Sequence, residues 1–299
     1  MAGQSIASHG GLHPSSSAAD RAGFSADPAP EIDSGLGTAY ERQAILGLLD
    51  RWVPAAKALA VLEGPGDGMA GIHGVHALGL ARQGARVTVA LDSARALDLV
   101  NEAYAAAGAR DAVETLEAVD PARLAPRRWD VGICFNVLPL REDWRDYLRA
   151  LAARVDRLIV VVTHAYSYGA QLRRALRWFE RTRSRELFDH EATRSQILES
   201  ELSLVGTVTA RAWLDCPWWP DLFVPPGESL LSGSLSRLNI PLGRARNPRF
   251  DYGVEDLPGA ELSLPLRRAL RRHPNFEDHP LLGSVFAHHR AYRLDCAPQ

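Results

Sequence analysis

Five glycines, at 64, 66, 68, 71 and 74, fall within eleven residues directly after a short apolar run, Ala58 to Leu62. Glycine has no Cβ, so such a loop turns tightly and lets its backbone approach a bound molecule. Small and apolar residues then continue at helical spacing until Gln83-Gly84, and a second β-rich run, Arg86 to Leu91, ends on Asp92. Strand, glycine loop, helix, strand and acid, in that order, form half of a dinucleotide- or nucleoside-binding βαβ unit. The helix start offers unpaired N–H groups and a positive dipole end. An acid at the tip of the second strand accepts hydrogen bonds from both hydroxyls of a ribose.

The elements that must position these groups are legible on either side. Ile45, Leu48, Leu49, Trp52 and Val53 fall on one helical face, which Pro54 ends. After Asp92, residues 94–107 carry a second helical face up to Gly108. Val113–Val119 reads as a third strand and Trp129–Phe135 as a fourth, closed by Asn136. Trp144, Tyr147, Leu148, Leu151 and Val155 mark another helix, and Leu158–Val162 is a continuous apolar run of the kind buried on both faces. Alternation of strands and helices from 58 to 162 predicts an α/β fold with a parallel sheet.

Beyond it, helices are expected over Tyr168–Arg183 and Glu191–Glu201 and a strand over Val205–Leu214, and Leu282–Leu294 is expected to close the fold as a last strand. Residues 222–282 show little periodicity. Residues 1–36, rich in Ser, Gly, Ala and Pro, read as a disordered leader, because they have too little apolar surface to offset chain entropy. The expected organisation is therefore a leader (1–36) and one domain (37–299), with a nucleotide-binding core at 40–164 and a closing region at 165–299.

Composition narrows the classes. The chain has 299 residues, 46% hydrophobic and 23% charged, with a formal net charge of −2. That balance does not suggest a nucleic-acid partner. Lys57 is the only lysine, which excludes most chemistry that needs a catalytic lysine. Three widely spaced cysteines, Cys134, Cys216 and Cys296, suggest reduced thiols and a cytoplasmic protein. No Cys-x-x-Cys or His-Glu-x-x-His pattern occurs, so no metal site is expected. No apolar run approaches the roughly 20 residues of a membrane span, and the N-terminus has no signal-peptide core.

The segment 40–163 resembles the class I S-adenosylmethionine-dependent methyltransferases. The residues that carry the resemblance are Gly64-Pro65-Gly66-Asp67-Gly68 after the first strand, Asp92-Ser93 after the second, Val119-Asp120 after the third and Asp130 to Leu138 along and after the fourth. The resemblance implies a Rossmann-like, mostly parallel seven-stranded sheet with a reversed last hairpin, helices on both faces and a C-terminal elaboration. It implies S-adenosylmethionine as cofactor. Glu63, Gly64, Gly66 and Gly68 would approach its methionyl and ribose part, Asp92 and Ser93 would meet the ribose, Asp120 the adenine amino group, and Asn136 the methionine end. This chain departs from the usual pattern in placing its acid, Glu63, directly before Gly64.

Each of these residues also has a plainer role open to it. Glu63 suits a ligand contact or the capping of loop N–H groups, and Asp120 before Pro121 equally suits a helix cap. His164 and Tyr166 follow the fifth strand, where open α/β sheets bind ligands. They are the candidate catalytic pair, with His164 a general base or a histidine tying down a loop. Trp213, Trp218 and Trp219 line a substrate pocket or plug the C-terminal lobe. Asn136 is followed by Val137-Leu138 rather than Pro-Pro-Tyr, which argues against base methylation and for a small-molecule acceptor. The rival functions are a nicotinamide oxidoreductase, since Gly66-Asp67-Gly68-Met69-Ala70-Gly71 is a literal Gly-x-Gly-x-x-Gly, and a non-catalytic nucleoside-binding or partner protein.

Overall fold

A computed structural model describes residues 36–53, 58–66, 74–124, 126–180, 189–216, 276 and 279–296. Residues 1–35, Gly68, the rest of the Gly-x-Gly-x-x-Gly run after Gly66, Trp218, Trp219 and nearly all of 222–278 lie outside the described residues.

The strands are β1 (Ala60–Glu63), β2 (Arg86–Leu91), β3 (Val113–Glu117), β4 (Trp129–Phe135), β5 (Val155–Thr163), β6 (Gly206–Leu214) and β7 (His289–Cys296). They form one sheet in the order β3-β2-β1-β4-β5-β7-β6. The first five strands run parallel. β7 runs antiparallel to both of its neighbours, β5 and β6. The expected seven-stranded sheet with its reversed last hairpin is therefore present.

Helices cover both faces, and alternation along the strands explains why. Val61, Val131, Ile133, Ile159 and Val161 point to one side. There they pack with Ile45, Leu48 and Leu49 of α1 (Leu36–Trp52), Leu78 of α2 (Leu78–Arg82), and Val100 and Tyr104 of α3 (Ala94–Ala106). Leu62, Cys134, Leu158 and Val160 point to the other. They meet Trp144, Tyr147, Leu148 and Leu151 of α4 (Trp144–Ala152) and Leu198 and Leu202 of α6 (Ser195–Val205). A sheet buried on both faces needs apolar residues at every position, which is why β5 reads as an unbroken apolar run. Among the described residues the other α-helices are α5 (Tyr168–Glu180) and α7 (Pro280–Phe286). Among the described residues no helix is long and apolar enough to cross a membrane.

Two expectations need correction. The helix expected over 191–201 is α6, displaced to 195–205 behind a short 3-10 turn at Glu191–Thr193. It runs directly into β6 at Gly206, where a Cβ would lie 2.5 Å from the carbonyl oxygen of Asp295. The last strand begins at His289 rather than Leu282, because residues 280–286 are the helix α7. Pro280 supplies a helical φ at its first turn, and His279 Nδ1 caps it by accepting from the Leu282 amide at 3.2 Å.

Gly132 in β4 faces the closest packing of the second core. A Cβ there would stand 2.8 Å from Cγ1 of Val155 and 3.2 Å from Cδ1 of Leu158. Gly132→Ala should therefore destabilise the fold by about 1–3 kcal/mol through overpacking, as measured by chemical denaturation. An unchanged midpoint would contradict the packing described for this face.

Candidate functional site at the carboxyl edge of the sheet

The parallel strands end at one edge, and a buried carboxylate organises its first turn. Glu63, 2% exposed, is the last residue of β1. Its Oε1 accepts from the His76 amide at 3.1 Å and from His76 Nδ1 at 2.8 Å, and its Oε2 accepts from the Ala77 amide at 2.8 Å. The His76 ring leans on Phe135 of β4, with centroids 4.2 Å apart. Of the two roles open to Glu63, the structure displays the capping of loop N–H groups. The His76 side chain is turned to this carboxylate.

The chain then crosses the tips of the neighbouring strands. The Gly64 amide donates to Ile133 O of β4 and the Gly66 amide to Ala90 O of β2, both at 2.9 Å. Gly64 has φ +97° and Gly66 φ +82°, conformations that side chains disfavour. A Cβ on Gly64 would also run into the Ala90 carbonyl oxygen. The Gly64–Pro65 peptide is cis. From α4, the Tyr147 hydroxyl donates to Pro65 O at 2.7 Å and ties the turn to the opposite face.

Asp92 stands at the tip of β2, exposed, and its carboxylate has no hydrogen-bond partner among the described residues. Ser93 beside it is the N-cap of α3, its Oγ accepting from the Ala96 amide at 3.4 Å. Asp120, past β3, accepts from the Ala122 amide at 2.8 Å and caps the 3-10 turn that begins at Pro121. That is the capping arrangement. Nearby, Arg141 donates to Val119 O at 2.9 Å and to both oxygens of Asp143, its guanidinium 4.7 Å from the Tyr147 ring centre. Its hydrogen bonds, helped by its charge, hold the Asp143 carboxyl below the usual carboxylate range.

Asn136 ends β4 in a left-handed conformation, φ 50°. Its Oδ1 accepts from the Thr163 amide at 2.6 Å and the Thr163 hydroxyl at 3.0 Å. That fixes the amide, so Nδ2 donates to His289 Nε2 at 3.1 Å. The side chain thus joins β4, β5 and β7. Burial, with lesser contributions from the neighbouring His288 and His164, pushes the His289 imidazole down to about 3.

His164 follows β5 and is 4% exposed. Its Nε2 donates to Ser284 O of α7 at 3.1 Å, and its ring lies 4.9 Å from that of Trp213. Burial pushes it down to about 4, which keeps it neutral and makes it a weak base. Tyr166 is 55% exposed, its ring 6.1 Å from His164. The structure thus seats His164 as a histidine holding a loop. Reasoning from sequence missed a second pair at this edge: Asp215, just past β6, and His288, just before β7, with Oδ2 and Nδ1 2.8 Å apart. The available signal was the doubled histidine opening the last alternating run.

No protein-family profile and no curated protein matches the sequence. Solved structures similar to it include the [4+2]-cyclase SpnF, at 12% identity and a TM-score of 0.47 over 86% of this chain and 82% of that one. The N-methyltransferase NodS from Bradyrhizobium japonicum WM9, in complex with S-adenosyl-l-homocysteine, is 18% identical over 58% of this chain and 79% of that one, TM-score 0.41. Coclaurine N-methyltransferase is 18% identical over 41% of this chain, TM-score 0.35, and the match spans 36% of its length. The fold is a Rossmann-like α/β sheet of seven strands with β7 reversed, the arrangement that the sequence resemblance implies.

Two outcomes follow from this geometry. Glu63→Gln removes one acceptor from three buried donors and should cost about 1–3 kcal/mol of stability, whereas Tyr147→Phe should cost about 0.5–1.5 kcal/mol. Equal stability of Glu63→Gln and the parent in urea would contradict the pinning role. The two buried histidines set an acid limit. An unfolded chain protonates them near pH 6.5, but the folded one holds out to about 4 for His164 and about 3 for His289. The unfolded state binds more protons in that window, so stability is full above pH 6.5 and falls as pH drops through it, by up to about 1.4 kcal/mol per pH unit for each histidine. Urea melts at pH 7 and pH 5 test this: His164→Asn should flatten the slope, and an equal slope in both proteins would contradict it.

Proposed function

We propose that the chain binds S-adenosylmethionine across the tips of β1, β2 and β4 and transfers its methyl group to a small-molecule acceptor. The observation that carries this reading is the β1 turn. Gly64 and Gly66 hold positive φ there against the β2 and β4 tips, and an exposed, unengaged carboxylate, Asp92, stands on the adjoining strand. The residues fit the group. Glycines without Cβ atoms at 64 and 66 let the backbone lie close to a ligand, and a carboxylate at a strand tip matches the two hydroxyls of a ribose.

The bound sulfonium supplies an electrophilic methyl carbon. The protein's work is then alignment and exclusion of water. Glu63 and Tyr147 hold the turn rigid from opposite faces, and Asp92 orients the ribose. A net charge of −2 and the Asn136-Val137-Leu138 run favour a small molecule over nucleic acid as acceptor. Three cysteines, all buried and unbridged, suit a reducing compartment such as the cytoplasm.

Asp92→Ala tests the assignment. Two charge-assisted hydrogen bonds to a ribose contribute about 1.5–3 kcal/mol each before water compensates. Affinity for S-adenosylhomocysteine should fall ten-fold or more, since about 1.4 kcal/mol is a factor of ten. The melting temperature without ligand should stay unchanged, because the carboxylate is solvated. Unchanged affinity with lowered stability would remove the ribose assignment.

A further inference from the structure

Among the described residues, seven large apolar or aromatic side chains stand exposed, and four of them gather at one place. Tyr166 follows β5 and Tyr168 opens α5; they are 55% and 44% exposed. Leu281 and Val285, 74% and 45% exposed, lie four residues apart and so on one side of α7. Phe286 joins the two groups, its ring 6.1 Å from that of Tyr168. The bond from His164 Nε2 to Ser284 O fixes the loop that carries Tyr166 to α7. From Thr163 to Leu172, and along α7, the sequence has no aspartate, glutamate, lysine or arginine. Beyond Leu172, α5 turns basic: Arg173, Arg174 and Arg177 stand against Glu180 alone. Arg174 donates to Ala165 O at 2.6 Å and to Asp189 Oδ1 at 3.3 Å. Arg173 and Arg177 fall about one turn apart on the helix.

We propose that this patch docks the protein on an anionic lipid bilayer. Tyr166, Tyr168, Leu281 and Val285 enter the boundary between headgroups and acyl chains, and α5 brings positive charge to the phosphates. Size decides against a protein partner. A stable protein interface takes about 20–30 residues a side, far more than this patch offers. A bilayer gains from each apolar side chain it takes up and from each arginine near its surface. Shape decides against a free small molecule, because aliphatic side chains on the outside of a helix make a ridge, and small ligands need a hollow. Residue type agrees: a tyrosine ring is apolar at its body and wet at its hydroxyl, which suits the boundary. Glu277 and Asp278 precede α7 in the sequence, so the positive charge belongs to the α5 side. Among the described residues no helix is fit to span a bilayer, and the contact is peripheral. It lies at the carboxyl edge of the sheet, beside the candidate site, and holds whether or not that site takes S-adenosylmethionine.

The test is co-sedimentation of the full chain with vesicles of phosphatidylcholine and phosphatidylserine, and with vesicles of phosphatidylcholine alone. The chain should bind the mixed vesicles, and the neutral ones several-fold more weakly, because an anionic surface attracts the arginines. Leu281→Ser should weaken binding to the mixed vesicles about ten-fold, the factor that burying roughly two methylene groups gives. Tyr166→Ser, on the other side of the patch, should weaken it in the same direction. Both side chains are exposed, so the melting temperatures of these variants should match the parent's, and each variant is an independent test. Arg173→Gln combined with Arg177→Gln should bring binding to the mixed vesicles down toward the level of the neutral ones. Absence of sedimentation with the mixed vesicles would overturn the proposal, as would equal binding by the parent, Leu281→Ser and Tyr166→Ser. A dimer in sedimentation velocity that Leu281→Ser splits would overturn it too, since a second copy would then cover the patch.

Discussion

The candidate site depends on one buried carboxylate. Glu63 closes β1 and, from 2% exposure, accepts three hydrogen bonds from His76 and Ala77, residues on the far side of the glycine-rich run. A charge buried so deeply is tolerable only when its oxygens are met by donors. The constraint works in both directions. The donors are held to the strand end, and the strand end fixes where Gly64 and Gly66 begin their crossing of the β2 and β4 tips. Tyr147 adds a second anchor from the opposite face. Beside the turn, in which Gly64 and Pro65 are buried and Gly66 half-buried, stands an exposed carboxylate, Asp92, that nothing described in the protein engages.

The other half of the edge obeys a different rule. Asn136 binds Thr163 and His289, and His164 binds Ser284 O, across β4, β5, β7 and α7. These hydrogen bonds lock the strand ends and leave two histidines neutral. Carboxylates meet two of the rings here: Asp215 Oδ2 lies 2.8 Å from His288 Nδ1, and Glu41 Oε1 lies 3.5 Å from His289 Nε2.

How much was legible in the sequence follows from the range of each interaction. β2, β4, α3 and α4 were readable because their signals are local: continuous apolar runs or helical spacing, bounded by Gly108, Asn136 or Asp92. The strand order was foreseeable only through resemblance, since nothing local says that β7 inserts beside β5. Residues 280–286 read as strand in the sequence because they are mostly apolar, whereas Pro280 opens a helix there. Side-chain roles were hidden by distance along the chain. Glu63 finds its partners 13 and 14 residues on, Asp215 meets His288 across 73, and Asn136 meets His289 across 153. Residue type narrowed Asp120 to ligand contact or cap, but only the fold shows the Ala122 amide beneath it.

The Glu63-pinned turn is proposed above to cradle an adenosyl sulfonium cofactor. Calorimetric titration of the full chain with S-adenosylmethionine, S-adenosylhomocysteine and NADPH addresses it most directly. The account predicts stoichiometric binding of the first two at roughly micromolar dissociation constants, about −8 kcal/mol, and no heat from the third. Binding of NADPH alone, or of none of the three, would contradict it.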